Sequence, residues 1–169
     1  MKDSAKRIYD QALATFGHLA PNQVMACTIY GEARGEPLHG KIGVGTVILE
    51  RVDHRAWDGQ TIKEVCLWPY QFSCYLTGDR NYRILSDIAQ HWQSEILSNT
   101  KLQECLRIAD GMISGEIPRD PDLAAVNCCQ YIETSYRQAV DQGLITGRVT
   151  KWWTDMRLIK TIFNHEFYA

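Results

Sequence analysis

Ile29-Tyr30-Gly31-Glu32-Ala33-Arg34-Gly35-Glu36-Pro37 is the stretch on which the reading of this chain turns. It joins two apolar segments of helical spacing, so Glu32 and Glu36 sit at a junction within a core. Upstream, Pro21 suits the first turn of a helix, and Val24, Met25, Cys27, Thr28 and Ile29 follow it. Gly35 and Pro37 break that helix. Downstream, Leu38, Ile42, Gly45, Leu49 and Val52 form one stripe, which predicts a helix over residues 38–52. Gly40, Gly43 and Gly45 within it each cost helix stability relative to alanine. They predict another backbone packed closely on that face.

Working outward, Ile8, Ala12, Leu13 and Phe16 predict a first helix over residues 4–16, and a short helix is expected over residues 60–67. Trp68-Pro69-Tyr70 ends it. The aromatics and the Thr77-Gly78-Asp79 turn predict short strands or an ordered loop over residues 70–83. Two further helices are expected over residues 86–98 and 102–114, divided near Asn99. Asp120-Pro121 reads as a turn, residues 124–132 as mildly strand-like, residues 143–148 as loop, and residues 156–168 as an apolar, strand-like end. The expected class is α+β, predominantly helical. With 169 residues and no Pro/Gly/Ser linker, residues 1–169 are read as one catalytic domain, residues 1–20 being a helical extension.

Composition removes several function classes. Lys and Arg number 18 against 20 Asp and Glu, for a formal charge of −2, so a bulk electrostatic grip on nucleic acid is not expected. No apolar run approaches the roughly 20 residues of a membrane span, which argues against stable membrane insertion. The opening MKDSAKRIYDQ has no apolar core of a secretory signal, so synthesis in the cytoplasm without a signal peptide is expected. Cys27, Cys66, Cys74, Cys105, Cys128 and Cys129 form no CxxC pair, and no Cys/His spacing suits zinc. Reduced, packed thiols are expected, with no metal and no cofactor.

The chemistry is expected at Glu32. The negative end of its helix and burial beside Ile29 and Tyr30 both disfavour a charged carboxylate, as a general acid near neutral pH requires. Asp79, in the Thr77–Arg80 turn, is the candidate second carboxylate, placed on a β element facing Glu32. Asp is equally a standard turn residue. Gln71 and Ser73 alternate with Phe72, so on an extended strand they share one side, an amide and a hydroxyl that are candidate substrate-binding groups. Tyr131, with Tyr136 as second choice, is a candidate face for stacking on a substrate ring, and one of Trp152-Trp153, taken as Trp153, a candidate cleft wall. Glu36 is a candidate substrate contact, and Cys74 with His165 a candidate nucleophile and base for an amidase.

The Ile29–Pro37 stretch, followed by Gly40-Lys41-Ile42-Gly43-Val44-Gly45-Thr46-Val47-Ile48-Leu49-Glu50-Arg51-Val52, resembles the spore cortex-lytic group of cell wall hydrolases, which includes SleB and CwlJ. The resemblance continues at Pro69-Tyr70-Gln71-Phe72-Ser73-Cys74 and at Asn164-His165-Glu166-Phe167-Tyr168, from about residue 24 to the end. It implies a lysozyme-like fold with a small β element beside the catalytic cleft. It also implies cleavage of the β-1,4 bond between N-acetylmuramic acid and N-acetylglucosamine in peptidoglycan, with the family's catalytic glutamate falling on Glu32. Members act as lytic transglycosylases, which need one carboxyl group as acid and then base. Two departures stand out: Asn127-Cys128-Cys129-Gln130-Tyr131 replaces a Thr-His-Tyr-Tyr-like segment, and Phe163 stands where glycine is common.

The alternatives are a hydrolytic muramidase using Glu32 with Asp79 or Glu36, the thiol amidase, and a non-catalytic glycan-binding module. The expected partner is the peptidoglycan glycan strand, engaged by a monomer. A phage endolysin released through a holin, or a spore enzyme, fits the missing signal.

Overall fold

The structure is a computed structural model that describes residues 3–54, 59–128, 130–145 and 151–169. Cys129, residues 146–148 of the expected loop and the Trp152 side chain lie outside the described parts. Its centre is α2 (Pro21–Ala33), apolar on all sides and buried over almost its whole length from Val24 onward. A helix without a polar face has to be surrounded. Here α3 (Leu38–His54), α4 (Ile62–Leu67), α5 (Arg80–Gln90) and α7 (Thr100–Ser114) pack on it. α1 (Asp3–Phe16), ahead of the stretch of resemblance, is part of this core: Ala12 and Phe16 are buried, and Phe16 sits edge-on to Tyr75 with ring centroids 4.9 Å apart. α6 (Trp92–Ser98) completes the helical body.

Local chemistry sets the helix ends. Thr61 and Glu64 form a capping box on α4. Asp79 caps α5 through Asn81 N, Asn99 caps α7 through Leu102 N, and Gly115 at φ 83° ends α7 in the left-handed region. Asp120 is more than a turn residue. It caps the short α8 (Pro121–Ala124), with Pro121 in the first turn.

A three-stranded antiparallel sheet of order β1-β3-β2 closes the other side, from β1 (Gln130–Glu133), β2 (Leu158–Ile162) and β3 (His165–Tyr168). Tyr131 pairs with Phe167 and Ile162 with His165. Phe167, fully buried, joins Val47 of α3, Leu123 and Cys128 in a second core that glues sheet to helices. α9 (Thr134–Asp141), which the sequence reading passed over, follows β1 directly.

Two expectations need correction. Residues 70–83 form no strand: Ser73–Tyr75 is a 3-10 turn and α5 begins at Arg80. The α3 glycines are met by side chains instead of a backbone. A Cβ on Gly43 would lie 2.7 Å from the Phe167 ring, and one on Gly45 2.5 Å from Met112 Sδ. Phe163, first residue of the two-residue β2–β3 loop and noted above as standing where glycine is common, has φ 50°. Glycine adopts that conformation freely whereas phenylalanine is strained by it.

Candidate active site

The last turn of α2 carries Glu32, half-buried at the floor of a groove of about 1010 Å³ between the helical body and the sheet. The 3-10 turn reaches it because Tyr75, fully enclosed, sets its hydroxyl 3.1 Å from the Val24 carbonyl and 2.9 Å from Thr28 Oγ1, both on α2. That anchor brings the Cys74 N–H to Glu32 Oε1 at 3.2 Å. Gly31 makes the approach sterically open, since a Cβ there would sit 2.7 Å from Cys74 Cβ. From the sheet side, the Tyr131 hydroxyl donates to Glu32 Oε2 at 3.1 Å. One donor per oxygen fixes the plane of the carboxyl group and leaves lone pairs toward the groove.

Tyr131 is itself clamped. Its ring lies 5.2 Å from His165, 5.7 Å from Phe167 and 6.4 Å from Phe72, centroid to centroid. Burial first, and then the Glu32 charge, push its phenol well above the usual range, so it remains an O–H donor. Tyr131 is half-buried, lines the groove and presents its hydroxyl to the acid. Tyr136, the second choice, is 43% exposed on α9 and lines the groove.

Gln71 and Ser73 both line the groove while Phe72 is buried. The expected alternation survives without a strand because Phe72 is extended, at φ −132° and ψ 121°. Arg51, buried on α3, holds this segment. Its guanidinium lies 4.8 Å over the Phe72 ring, and Nη1 approaches the Gln71 carbonyl at 3.4 Å.

Asp79 lines the groove, but on a helix cap and not a β element, with Oδ1 accepting from Asn81 N at 2.7 Å. Glu36 lies in the groove wall, its carboxylate accepting from Asn164 Nδ2 at 3.0 Å and Asn164 N at 3.3 Å. It ties the α2–α3 junction to the β2–β3 loop. Trp153 is a correction: it is buried with Val140 and Tyr168 and does not line the groove, because the sheet's far face needs an apolar cover. Cys74 is a second correction. Its thiol is enclosed, and burial and then the Glu32 charge push it well above the ordinary range, so it is no thiolate nucleophile. His165 is buried against Tyr131 at the groove edge.

Sequence reasoning gave no role to Tyr70, Arg34, Arg80, Asn81 or Lys101, all of which line the groove. Tyr70 is 63% exposed and has φ 66°. Its sequence signals were an aromatic directly after proline and its place in the Pro69–Cys74 block of resemblance. Cys27, Cys66, Cys74 and Cys105 are free and buried, and Cys128 is buried as well. Among the described residues no group of three or more His, Cys, Asp or Glu side chains is arranged to hold a metal ion, and no helix is long and apolar enough to cross a membrane.

Comparison with known proteins agrees with this geometry. The catalytic domain of germination-specific lytic transglycosylase SleB from Bacillus anthracis is 25% identical, with a TM-score of 0.53 over 90% of this chain and 98% of that one. The catalytic domain of the Bacillus cereus SleB protein is 24% identical, with a TM-score of 0.51 over 88% of this chain and 89% of that one. A spore cortex-lytic enzyme of Oceanobacillus iheyensis is 39% identical over 56 residues, which span 33% of this chain and only 20% of that protein. The fold is thus lysozyme-like, a helical body with a small sheet beside the groove. The Cell Wall Hydrolase family profile matches residues 35–168, and the chain belongs to that family, in its SleB/CwlJ-like group. Glu32 lies just ahead of the matched span.

Proposed function

We propose that this chain is a lytic transglycosylase acting on peptidoglycan of the cell wall or spore cortex, with residues 1–169 as one catalytic domain. The observation that carries the proposal is Glu32. It lies in a long groove, oriented by Cys74 N–H and the Tyr131 hydroxyl, while the other groove carboxylates are engaged elsewhere. Glu36 serves Asn164 and Asp79 serves the first turn of α5. A two-carboxylate hydrolase needs an acid and a free partner, and that pairing has less support here.

Protonated Glu32 gives its proton to the glycosidic oxygen as the bond from that oxygen to the muramic acid anomeric carbon breaks. The carboxylate so formed takes the proton of the same sugar's C6 hydroxyl as its oxygen bonds to the anomeric carbon. The products are a 1,6-anhydromuramic end and a free C4 hydroxyl on N-acetylglucosamine. Glu32 ends as it began, protonated, and no water is consumed. Gln71 and Ser73 hydrogen-bond sugar substituents, and Tyr70 and Tyr136 supply the exposed ring faces.

Glu32→Gln tests this. General acid–base catalysis contributes about 10²–10⁴-fold, so the variant should lose lysis by at least about a hundredfold while still sedimenting with purified cell walls. Wild-type protein that binds walls without ever cleaving them would leave only a binding module.

A further inference from the structure

The helical side of the groove carries four cations: the buried Arg51 of α3, Arg34 at the end of α2, Arg80 in the first turn of α5 and Lys101 in the first turn of α7. Arg34 is fixed by Asn81 Oδ1, 2.9 Å from its Nη1, and by the Tyr30 ring 5.3 Å from its Cζ. Arg80 and Lys101 are exposed and make no ion pair among the described residues. Their positions work against stability. A cation in the first turn faces the positive end of its own helix, and neither first turn holds an acidic side chain, Asp79 before α5 being the only cap charge. The groove's carboxylates, Glu32, Glu36 and Asp79, accept hydrogen bonds from neutral groups as described above and form no salt bridge with Arg80 or Lys101 among the described residues. A chain of formal charge −2 thus keeps Arg80 and Lys101, without a salt-bridge partner among the described residues, in the groove that holds Glu32.

We propose that Arg80 and Lys101, with Arg34 behind them, form a subsite for carboxylates of the peptide stem borne by the muramyl sugar. This rests on the glycan-cleaving reading of the groove. The sugar ring contacts on an uncleaved strand are neutral, and the lactyl carboxyl is tied up in the amide to the stem. The anions that reach the wall of such a groove are therefore the stem's own carboxylates. Charge contacts at exposed sites are weak singly, so two or more acting together set a preference of about fivefold to tenfold in KM.

The test compares soluble glycan strands in three forms: stems intact, stem carboxylates converted to neutral amides, and stems removed by an amidase. Wild-type protein should show a KM about fivefold to tenfold lower on intact strands than on the neutralised ones. The gap should close at about 0.5 M salt, where charges are screened within a few ångströms. Arg80→Gln with Lys101→Gln should shrink the gap to less than about twofold without lowering Tm, because it removes two badly placed helix charges. Arg80→Lys with Lys101→Arg should keep it. Equal KM on intact and neutralised strands overturns the subsite. Stripped strands as good as intact ones overturn the stem assignment and point to the lactyl carboxylate. Cleavage of none of the three overturns the glycan reading beneath, and the subsite with it.

Discussion

Tyr131→Phe isolates the contact that aims the acid. The hydroxyl donates to Glu32 Oε2 at 3.1 Å, and the ring is held independently by His165, Phe167 and Phe72. Phenylalanine keeps those ring contacts and removes one donor. Glu32 becomes charged as it gives up its proton, and a hydrogen bond to a charged acceptor contributes about 1.5–3 kcal/mol against about 1 kcal/mol to a neutral one; about 1.4 kcal/mol is a factor of ten. If that energy holds Glu32 in its reactive plane, kcat/KM should fall about tenfold to a hundredfold. Tm should shift by no more than a few degrees, since a 1 kcal/mol loss moves a domain of this size by about 2–4 °C. Initial rates on purified peptidoglycan, followed by turbidity and by released muropeptides, give the first quantity, and a thermal melt gives the second. A variant within twofold of wild type, with unchanged Tm, would refute the idea that Tyr131 positions the acid.

Three further outcomes follow from the same geometry. Gly31→Ala places a Cβ 2.7 Å from Cys74 Cβ and 2.9 Å from its Sγ; overpacking of this kind costs about 1–3 kcal/mol. Lysis should fall further than Tm alone explains, because the shifted residue also supplies a donor to Glu32. Phe163→Asn relieves a strained φ of 50° at a side chain 65% exposed, and should stabilise by about 1 kcal/mol, raising Tm by about 2–4 °C; a lower Tm would contradict the strain. Burial pushes the Cys27, Cys66 and Cys105 thiols up to about 12 and Cys74 well above its usual value. A disulfide reagent at about pH 8 should thus leave these four untouched until the protein is denatured, and modification of native Cys74 with loss of lysis would revive the thiol chemistry.

The α2–α3 junction was legible because helix spacing, Pro21 and the Gly35–Pro37 break are local signals, and they put Glu32 at a helix end inside the core. The inward turn of Phe72 between Gln71 and Ser73 was legible for the same reason, since one extended residue suffices. The strand expected around it was not, because Tyr75 is pulled onto Val24 and Thr28 of α2 by a contact 47 and more residues away in sequence. Aromatic content suggested strand where a buried hydroxyl dictated a 3-10 turn. The aim of the Tyr131 hydroxyl at Glu32 was not legible either, because its neighbours in the sheet, Phe167 and His165, come from the far end of the chain. Trp153 failed similarly, since the Val140 and Tyr168 that enclose it are invisible without β3 and α9. The residues missed altogether, Tyr70, Arg80 and Lys101, owe their place in the groove to where α4 ends and α5 and α7 begin. No periodicity marks them.

The most direct test of the central claim is mass spectrometry of the muropeptides that wild-type protein releases from purified peptidoglycan. If Glu32 alone serves as acid and then base, new ends should carry 1,6-anhydromuramic acid, one water lighter than the hydrolysed sugar. Reducing muramic ends in their place would show that water, activated by a second group, takes the part assigned to the sugar's own C6 hydroxyl.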